Sequence, residues 1–109
     1  MAYIPDRGDV VWLDFDPTKG HEIQKLRPAL IVSTKPFSKL TRLAMVVPVT
    51  STVRGNAFET ELSGKKVSGV VLSQQLRTVD YVSRQAKLVE KAPKAVVEDV
   101  LAKIRAILA

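Results

Sequence analysis

A polar segment near the start of the chain holds the residue types best suited to chemistry on a phosphate. Arg27 stands directly before Pro28, where this segment gives way to an apolar run of strand length, so its guanidinium is expected to be held on rigid backbone. The N–H donors of a guanidinium suit a phosphate or a developing pentavalent oxyanion. The segment 16–27 has no apolar period and is typical of a long loop, which in a small domain usually has a function. Its candidate side chains are Lys19, His21, Glu22, Lys25 and Arg27.

Hydroxyl side chains form a second group. Thr50, Ser51 and Thr52 follow the apolar run that ends at Val49, and Arg54 comes shortly after them. Hydroxyls at the end of a strand can donate to phosphoryl oxygens, and they are equally common in turns. The group therefore predicts either further phosphate contacts or a local turn.

Amide side chains form a third group. Gln74 and Gln75 interrupt a core-like run and are followed by Arg77. Amides at such a place can read the edges of bases, or they can satisfy the backbone of a loop. Phe15 and Phe58 are weaker candidates for stacking on bases, because an aromatic content of only 6% favours both rings lying in the core.

Positive charge is concentrated in the same part of the chain. The sequence has 17 basic and 11 acidic residues, which give a formal net charge of +6. Residues 17–54 contain seven of the basic residues and a single acidic residue, Glu22. Such a distribution is typical of a surface that binds nucleic acid or an acidic protein, and solvated surface lysines are the alternative.

Several kinds of catalytic site are excluded by residue type. No cysteine and a single histidine, His21, cannot make a structural zinc site. Asp14 and Asp16 share one face of a strand and could bind magnesium with Glu22. Acidic residues at a strand end are commonly solvated or bonded to loop amides, however, and we expect neither a metal nor another cofactor. Neither a glycine-rich phosphate cradle nor a Gly-x-Ser-x-Gly motif occurs.

Closely spaced strand-length segments predict a mainly β (α+β) fold built on a small barrel. Apolar and acidic residues alternate in 58–62, which indicates a strand with one wet face. After Pro93 the apolar period changes to three and four residues as far as Leu108, which predicts one C-terminal amphipathic helix. A polar link containing Pro36 joins two of the strands. The predicted strands are 10–15, 28–33, 43–49, 58–62, 69–72, 77–80 and 87–89.

Size and composition predict a single folded domain over residues 1–109, which are 46% hydrophobic and 26% charged. A core of this size gives modest stability, to which a dimer partner would add. No apolar run approaches the roughly 20 residues that span a bilayer, and the N-terminus lacks a basic segment followed by an apolar one. We therefore expect a soluble cytoplasmic protein with no membrane partner.

Several motifs follow one another in an informative order. They are VWLDFDPTKGHE at 11–22, RPALIV at 27–32 and VPVTS at 47–51. Further along the chain come LSG at 62–64, GVV at 69–71, QLRTVD at 75–80 and the predicted C-terminal helix. Together these motifs resemble the MazF/PemK/Kid toxins of bacterial toxin–antitoxin modules, over essentially the whole chain and with compatible spacing.

The resemblance implies a homodimeric SH3-like β-barrel with added helices. It also implies a metal-independent and ribosome-independent endoribonuclease that cuts single-stranded mRNA at short sequences until an antitoxin neutralises it. Attack by a 2′-hydroxyl would leave a 2′,3′-cyclic phosphate and a 5′-hydroxyl. We expect the antitoxin to bring an acidic, disordered tail to the basic grooves that bind RNA.

The resemblance also assigns roles to residues. It places the family's key arginine and threonine on Arg27 and Thr50. Arg27 would stabilise the phosphorane and act as, or position, the general acid, and Thr50 would hydrogen-bond the scissile phosphate. His21 matches a loop histidine implicated in substrate contact or catalysis. Gln74 stands where the family has an aspartate, and because an amide cannot accept the 2′-hydroxyl proton, His21, Glu22 or water must do so. The candidates for RNA contact are Lys19, Glu22, Ser51, Arg54, Gln74, Gln75 and Arg77.

Two other functions use the same residues. If the aspartate is indispensable, Gln74 marks a barrel that binds RNA or DNA without cutting it. The second alternative is a toxin that acts through protein contacts, as related folds do on gyrase. A salt-dependent gel shift with intact RNA would favour the first, and inhibition of supercoiling without RNA cleavage would favour the second.

Overall fold

The computed structural model describes residues 2–15 and 26–109, and in these ranges the chain forms seven strands and two α-helices. All seven predicted strands are confirmed within a few residues at each end. A short 3₁₀ helix lies between the fifth and sixth strands. The elements are β1 (Asp9–Asp14), β2 (Leu26–Ile31), α1 (Lys35–Thr41), β3 (Ala44–Thr50), β4 (Glu59–Ser63), β5 (Ser68–Leu72), the 3₁₀ helix (Ser73–Gln75), β6 (Arg77–Val79), β7 (Lys87–Lys91) and α2 (Lys94–Leu108).

The strands form one antiparallel sheet in the order β4-β5-β3-β2-β1-β7, and β6 also pairs with β3. One edge of β3 pairs with β2, while its other edge pairs first with β6 and then with β5. The sheet curls on itself, and α2 covers one of its faces. The prediction of a mainly β, barrel-like fold with a C-terminal helix is therefore confirmed.

The three central strands bury side chains on both faces, which explains why their sequences are nearly continuous apolar runs. Leu30 belongs to the cluster beneath α2, and its neighbour Ile31 belongs to the cluster on the opposite face. We call these the helix-side cluster and the open-side cluster. The helix-side cluster includes Val10, Leu30, Val32, Val47, Val49, Val97, Val100 and Ile104. The open-side cluster comprises Val11, Leu13, Ala29, Ile31, Ala44, Val46, Val79 and Tyr81.

Helix α2 is fastened to the edge strand β4 by polar contacts. The Thr60 hydroxyl donates to the Asp99 carboxylate at 2.6 Å, and the Lys103 ammonium donates to the same carboxylate at 2.8 Å and to the Glu59 carbonyl oxygen at 2.7 Å. The hydrogen bonds from Lys103 and Thr60 lower the pKa of Asp99. No helix in the described residues is both long and apolar enough to cross a bilayer.

The final turn of α2 departs from the predicted apolar face. Val97, Val100 and Ile104 are buried as expected, but Ile107 is 42% and Leu108 73% exposed. The described part of this chain does not cover the end of the helix. The apolar stripe therefore continues beyond the core that it packs against.

Helix α1 occupies the polar link around Pro36, where the sequence analysis did not predict a helix. The Thr34 hydroxyl accepts from the Phe37 amide at 3.4 Å as an N-cap, and Pro36 stands in the first turn, where its missing N–H is not needed. Arg42 ends the helix in the left-handed conformation and donates its amide to Ser38. Both capping signals are present in the sequence, but the helix is too short to show an apolar period.

A carboxylate links the β4–β5 hairpin to β7, near the other edge of the sheet. Glu90 on β7 accepts from the backbone amides of Lys65, Lys66 and Val67 in the hairpin turn, at 3.1, 3.0 and 2.9 Å. A side chain on Gly64 could not fit, because its Cβ would lie 2.7 Å from the Val67 carbonyl oxygen as well as against the Glu90 carboxylate. The sheet is thus closed at this point by a side chain rather than by a backbone ladder.

Candidate active site

The pairing register places Arg27 and Thr50 on the same face of the sheet. Strand β1 pairs with β2 so that Leu13 lies opposite Arg27. The pairs between β2 and β3 end at Ala29 and Pro48, and Arg27 and Thr50 each lie two residues beyond this last pair, toward the same end of the sheet. Alternation along the strands directs both side chains to the open side, where Leu13, Arg27 and Thr50 form one row on three neighbouring strands.

Rigid backbone supports Arg27 within this row. It is the second residue of β2, as expected from its place where a loop meets an apolar strand, and its partner Leu13 is fully buried. The Arg27 side chain is exposed, and no described residue pairs with its guanidinium. Its base is thus fixed by the sheet while its charged end can reach an anion at the surface.

Thr50 is positioned by the neighbouring strand. It ends β3 half-buried and lies opposite Val70 of β5. A Cβ on Gly69 would come within 2.4 Å of the Thr50 carbonyl oxygen, so only glycine allows β5 to approach this closely. The Thr50 hydroxyl accepts from the Thr52 amide at 3.2 Å, which leaves its own O–H able to donate to a ligand. In the sequence Gly69 stands out only as the first residue of the GVV motif at 69–71, which gives it no role beside Thr50.

Arg77 shares this face of the sheet. It lies opposite Val46, which belongs to the open-side cluster, and its guanidinium sits 5.3 Å from the centre of the Phe15 ring. Phe15 is half-buried against the open-side cluster, whereas Phe58 is 38% exposed and belongs to neither cluster. The expectation that both rings lie in the core is wrong for Phe58, because β4 begins only after it.

The remaining candidates in the described residues lie in two segments that flank β3. Ser51 and Arg54 are exposed in the β3–β4 loop, and Gln74 and Gln75 are exposed on the 3₁₀ helix. The 3₁₀ helix joins β5, which pairs with Thr50, to β6, which pairs with Val46. Its first amide donates to the Phe58 carbonyl oxygen at 3.2 Å, so the end of the loop and the 3₁₀ helix are in contact.

Four candidate residues of the polar segment fall in 16–25, which lies outside the described residues: Lys19, His21, Glu22 and Lys25. His21 and Glu22 are also two of the three candidates for the base. The described residues contain no group of three His, Cys, Asp or Glu side chains arranged to hold a metal ion. Of the acidic residues considered for magnesium, only Asp14 is described, and it is buried at 8% exposure.

Comparison with known proteins gives consistent results along the chain. The family model described as the PemK-like, MazF-like toxin of type II toxin–antitoxin systems matches residues 6–108. The endoribonuclease toxin MazF of Escherichia coli K12 is 40% identical over 84 residues, covering 77% of this chain and 76% of that protein. The endoribonuclease PemK of Escherichia coli is 39% identical over 108 residues, covering 94% and 81%.

A solved structure shows the same arrangement of elements. The crystal structure of MazE–MazF (Form-II) from Deinococcus radiodurans superposes with a TM-score of 0.90 at 41% sequence identity. The superposition covers 98% of this chain and 97% of the matched chain. At that level of identity and coverage, the curled sheet and the C-terminal helix are shared in full.

Proposed function

The chain belongs to the family of PemK-like and MazF-like toxins of type II toxin–antitoxin systems, and from this we propose that it is an endoribonuclease that cuts single-stranded mRNA at a short sequence. The cleavage needs neither a metal ion nor the ribosome, and it leaves a 2′,3′-cyclic phosphate and a 5′-hydroxyl. Its mRNA substrate places the activity in the cytoplasm.

The observation that carries the proposal is that Leu13, Arg27 and Thr50 share one face near the same end of the sheet. In the proposed reaction a 2′-oxygen attacks the neighbouring phosphorus and its proton passes to a base. The bond from phosphorus to the 5′-oxygen breaks as that oxygen takes a proton from a general acid, which Arg27 supplies or positions. Arg27 stabilises the negative charge of the phosphorane and Thr50 donates to a phosphoryl oxygen. These roles need side chains that can reach one phosphate, and the shared face of Arg27 and Thr50 supports them.

Gln74 cannot be the general base, because its amide cannot accept the 2′-hydroxyl proton. We assign this proton transfer to His21, Glu22 or a water molecule. Gln74 is exposed on the 3₁₀ helix beside the β3–β4 loop, where an amide can contact a base edge. We therefore propose a recognition role for Gln74 in place of the family aspartate's role.

Recognition of unpaired RNA follows from the kind of side chains around the row. Ser51, Arg54, Gln75 and Arg77 are polar or cationic and exposed. Lys19 and Glu22, which lie outside the described residues, are proposed as RNA contacts on residue type alone. Base edges in a single strand are open to such groups, whereas the major groove of double-stranded RNA is too narrow for them.

We further propose that the protein acts as a homodimer. A groove of about 290 Å³ lies between α1 and α2, and the apolar side chains at its margins include Leu108, which is 73% exposed. Leu40, one turn after Phe37 on α1, is 86% exposed. A second copy of the chain would cover these surfaces, and Leu108→Lys should then convert a dimer to a monomer in analytical ultracentrifugation. The apolar side chains that line the groove are those of Val32, Phe37, Met45, Leu76, Leu101, Ile104 and Leu108.

The third part of the proposal is a cognate antitoxin with an acidic, disordered tail. The matched MazE–MazF crystal structure supports a protein partner of this kind. The exposed cations Arg27, Arg54 and Arg77 suit acidic side chains as well as they suit phosphates. The tail should therefore compete with RNA, and cleavage that is unchanged when the tail is saturating would contradict a shared site.

The decisive experiment is to incubate the purified protein with a long, mostly unpaired RNA in EDTA and to map the fragment ends. Cuts at one short motif with 5′-hydroxyl ends would support the proposal and identify the motif. A single 2′-deoxy sugar at the cut position should abolish cleavage, because the nucleophile is then absent. Intact RNA that is bound by the folded protein would instead favour the non-catalytic barrel, and Gln74→Asp would be the first variant to make.

A further inference from the structure

We infer that Glu59 is a positioning residue for RNA recognition, whose carboxylate holds the β3–β4 loop so that Ser51 and Arg54 are presented to the substrate. The inference rests on the proposed ribonuclease function and adds to it a residue that does not touch the RNA. Glu59 begins β4, where the sequence pattern predicts only an acidic residue on the wet face of a strand.

The β3–β4 loop has little else to hold it in one conformation. Every residue of 51–58 is exposed, and none belongs to a helix or strand. Apolar packing therefore cannot order the loop, and its order depends on hydrogen bonds to its backbone. Glu59 accepts from the Gly55 amide at 3.0 Å and from the Arg54 amide at 3.2 and 3.3 Å, one distance to each carboxylate oxygen.

Glu59 is itself fixed on two sides. Its backbone pairs with Leu72 of β5, and its carbonyl oxygen accepts from the Lys103 ammonium of α2 at 2.7 Å. Lys103 is held in turn by Asp99, at 2.8 Å. The carboxylate therefore ties a loop that lacks secondary structure to the rigid sheet and to helix α2.

The hydrogen bonds to Glu59 determine which groups of the β3–β4 loop face RNA. Because the amides of Arg54 and Gly55 are occupied by the carboxylate, the loop presents the Arg54 side chain rather than its backbone. The Phe58 carbonyl oxygen accepts from the Ser73 amide at 3.2 Å, so the same anchored loop also sets its distance from Gln74 on the 3₁₀ helix. A loop ordered before binding loses less entropy when RNA binds, which lowers KM.

The test compares steady-state cleavage of one RNA by the unsubstituted protein, Glu59→Gln and Glu61→Gln. Glutamine keeps the length of the side chain but replaces one carboxylate oxygen with an NH₂ group, which cannot accept from the loop amides. The loop then loses order before RNA binds. We expect KM to rise about tenfold, which is roughly the free-energy cost of ordering one or two residues. We expect kcat to change less than about twofold, since the row of Arg27 and Thr50 is not part of the loop. Glu61→Gln, on the same strand and with the same loss of charge, should leave both parameters unchanged.

A second variant keeps the test valid if Glu59→Gln folds poorly. Asn56 accepts from the Phe58 amide at 2.9 Å and donates to Glu59 at 3.4 Å, so Asn56→Ala should loosen the same loop and raise KM in the same way. Two results would overturn the inference while leaving the ribonuclease function intact. In the first, Glu59→Gln and Asn56→Ala have the same KM as Glu61→Gln. In the second, the two variants lower kcat without changing KM. Absence of cleavage by the unsubstituted protein would overturn both the inference and the ribonuclease function.

Discussion

Two regions of the sheet contribute to the candidate site, and they are held in place by different forces. Strands β1, β2 and β3 bury apolar side chains on both faces and position Arg27 and Thr50 near their ends. The β4–β5 hairpin buries Leu62, Val67 and Val71 in the helix-side cluster. Its turn and the β3–β4 loop, however, are held by carboxylates, because Glu90 accepts from the amides of the turn and Glu59 from those of the loop.

The two kinds of support suit two kinds of residue: those that carry out the reaction lie on the first region, and those that recognise the RNA lie on the second. Apolar packing on both faces is insensitive to pH and resists small displacements, as residues that must meet one phosphate require. Hydrogen bonds from exposed amides to a carboxylate are individually modest, respond to pH and can be changed without leaving a cavity. We infer that residues that select a sequence can vary on the second region while the first region stays constant.

The largest expected effect comes from removing the charged end of the rigid row. Arg27→Ala should lower kcat by about a hundredfold or more, because a donor directed at the phosphorane contributes roughly 3 kcal/mol to the barrier. Since the side chain is exposed, the melting temperature should change little. Quantified cleavage of one RNA, together with thermal unfolding, measures both effects.

Arg27→Lys is the matched control for charge. Lysine keeps the positive charge but lacks the planar fork of donors, so it should recover only part of the lost rate. A folded Arg27→Ala protein with unsubstituted kcat would remove Arg27 from the reaction and end the distinction between the two regions.

An intermediate effect is expected where the second region touches the first. Gly69→Ala would place a methyl group 2.4 Å from the Thr50 carbonyl oxygen, so one of the two strands must shift. Overpacking of this kind costs about 1–3 kcal/mol of stability, and a displaced Thr50 should lower kcat about tenfold with little change in KM. Denaturant unfolding and steady-state kinetics measure the two quantities separately.

Gly8→Ala separates backbone strain from displacement of Thr50. Gly8 and Gly69 both have a positive φ, of 95° and 153°. A Cβ on Gly8 would meet only the Val97 side chain at 3.6 Å, which is an ordinary contact. We expect it to lower stability without lowering kcat. Equal kcat in Gly8→Ala and Gly69→Ala would show that the approach of β5 does not position Thr50.

The smallest effect should be a pH-dependent one at Glu90. Desolvation raises the pKa of this carboxyl, but hydrogen bonds from the amides of Lys66, Val67 and Lys65 outweigh it, so the pKa lies below its ordinary value of 4.5. A lowered pKa in the folded state means that the carboxylate stabilises the fold fully above pH 4.5 and loses this effect as the pH falls through the folded-state pKa. Glu90→Gln should therefore lower the melting temperature most at neutral pH.

Thermal unfolding between neutral and acidic pH tests this expectation. The difference between the unsubstituted protein and Glu90→Gln should shrink as the pH falls, while Glu61→Gln, which removes an equal charge from an exposed site, should show no such trend. A difference that stays constant with pH would mean that the carboxylate does not close the sheet through its charge.

Much of the fold could be predicted from local pattern. The strands and α2 follow from apolar period, and the mainly β architecture follows from their spacing. The capping residues Thr34 and Pro36 were present but too little to predict α1, which has seven residues and no apolar period. The exposure of Leu108 could not be predicted, because a helical stripe does not reveal where its partner surface ends.

Some residues of the candidate site could also be predicted from the sequence, and others could not. Residue types and motif order pointed to Arg27, Thr50 and Arg77, and the resemblance to a toxin family is confirmed by the family model. Neither residue type nor motif order indicated the supporting roles of Gly69 and Glu59. A glycine in a strand and an acidic residue on a wet face are common, and only their neighbours give them a role.

Apolar period, charge and motif order are properties of the chain, and they suffice to predict the strands, the C-terminal helix, the basic character of the loops and the family. Three features appear only in the folded molecule: Arg27 and Thr50 share one face near the same end of the sheet, β5 touches Thr50, and Glu59 and Glu90 accept from backbone amides. These facts depend on strand register and on the close approach of distant segments. Both are settled when the sheet pairs and curls, not by any residue's neighbours in sequence.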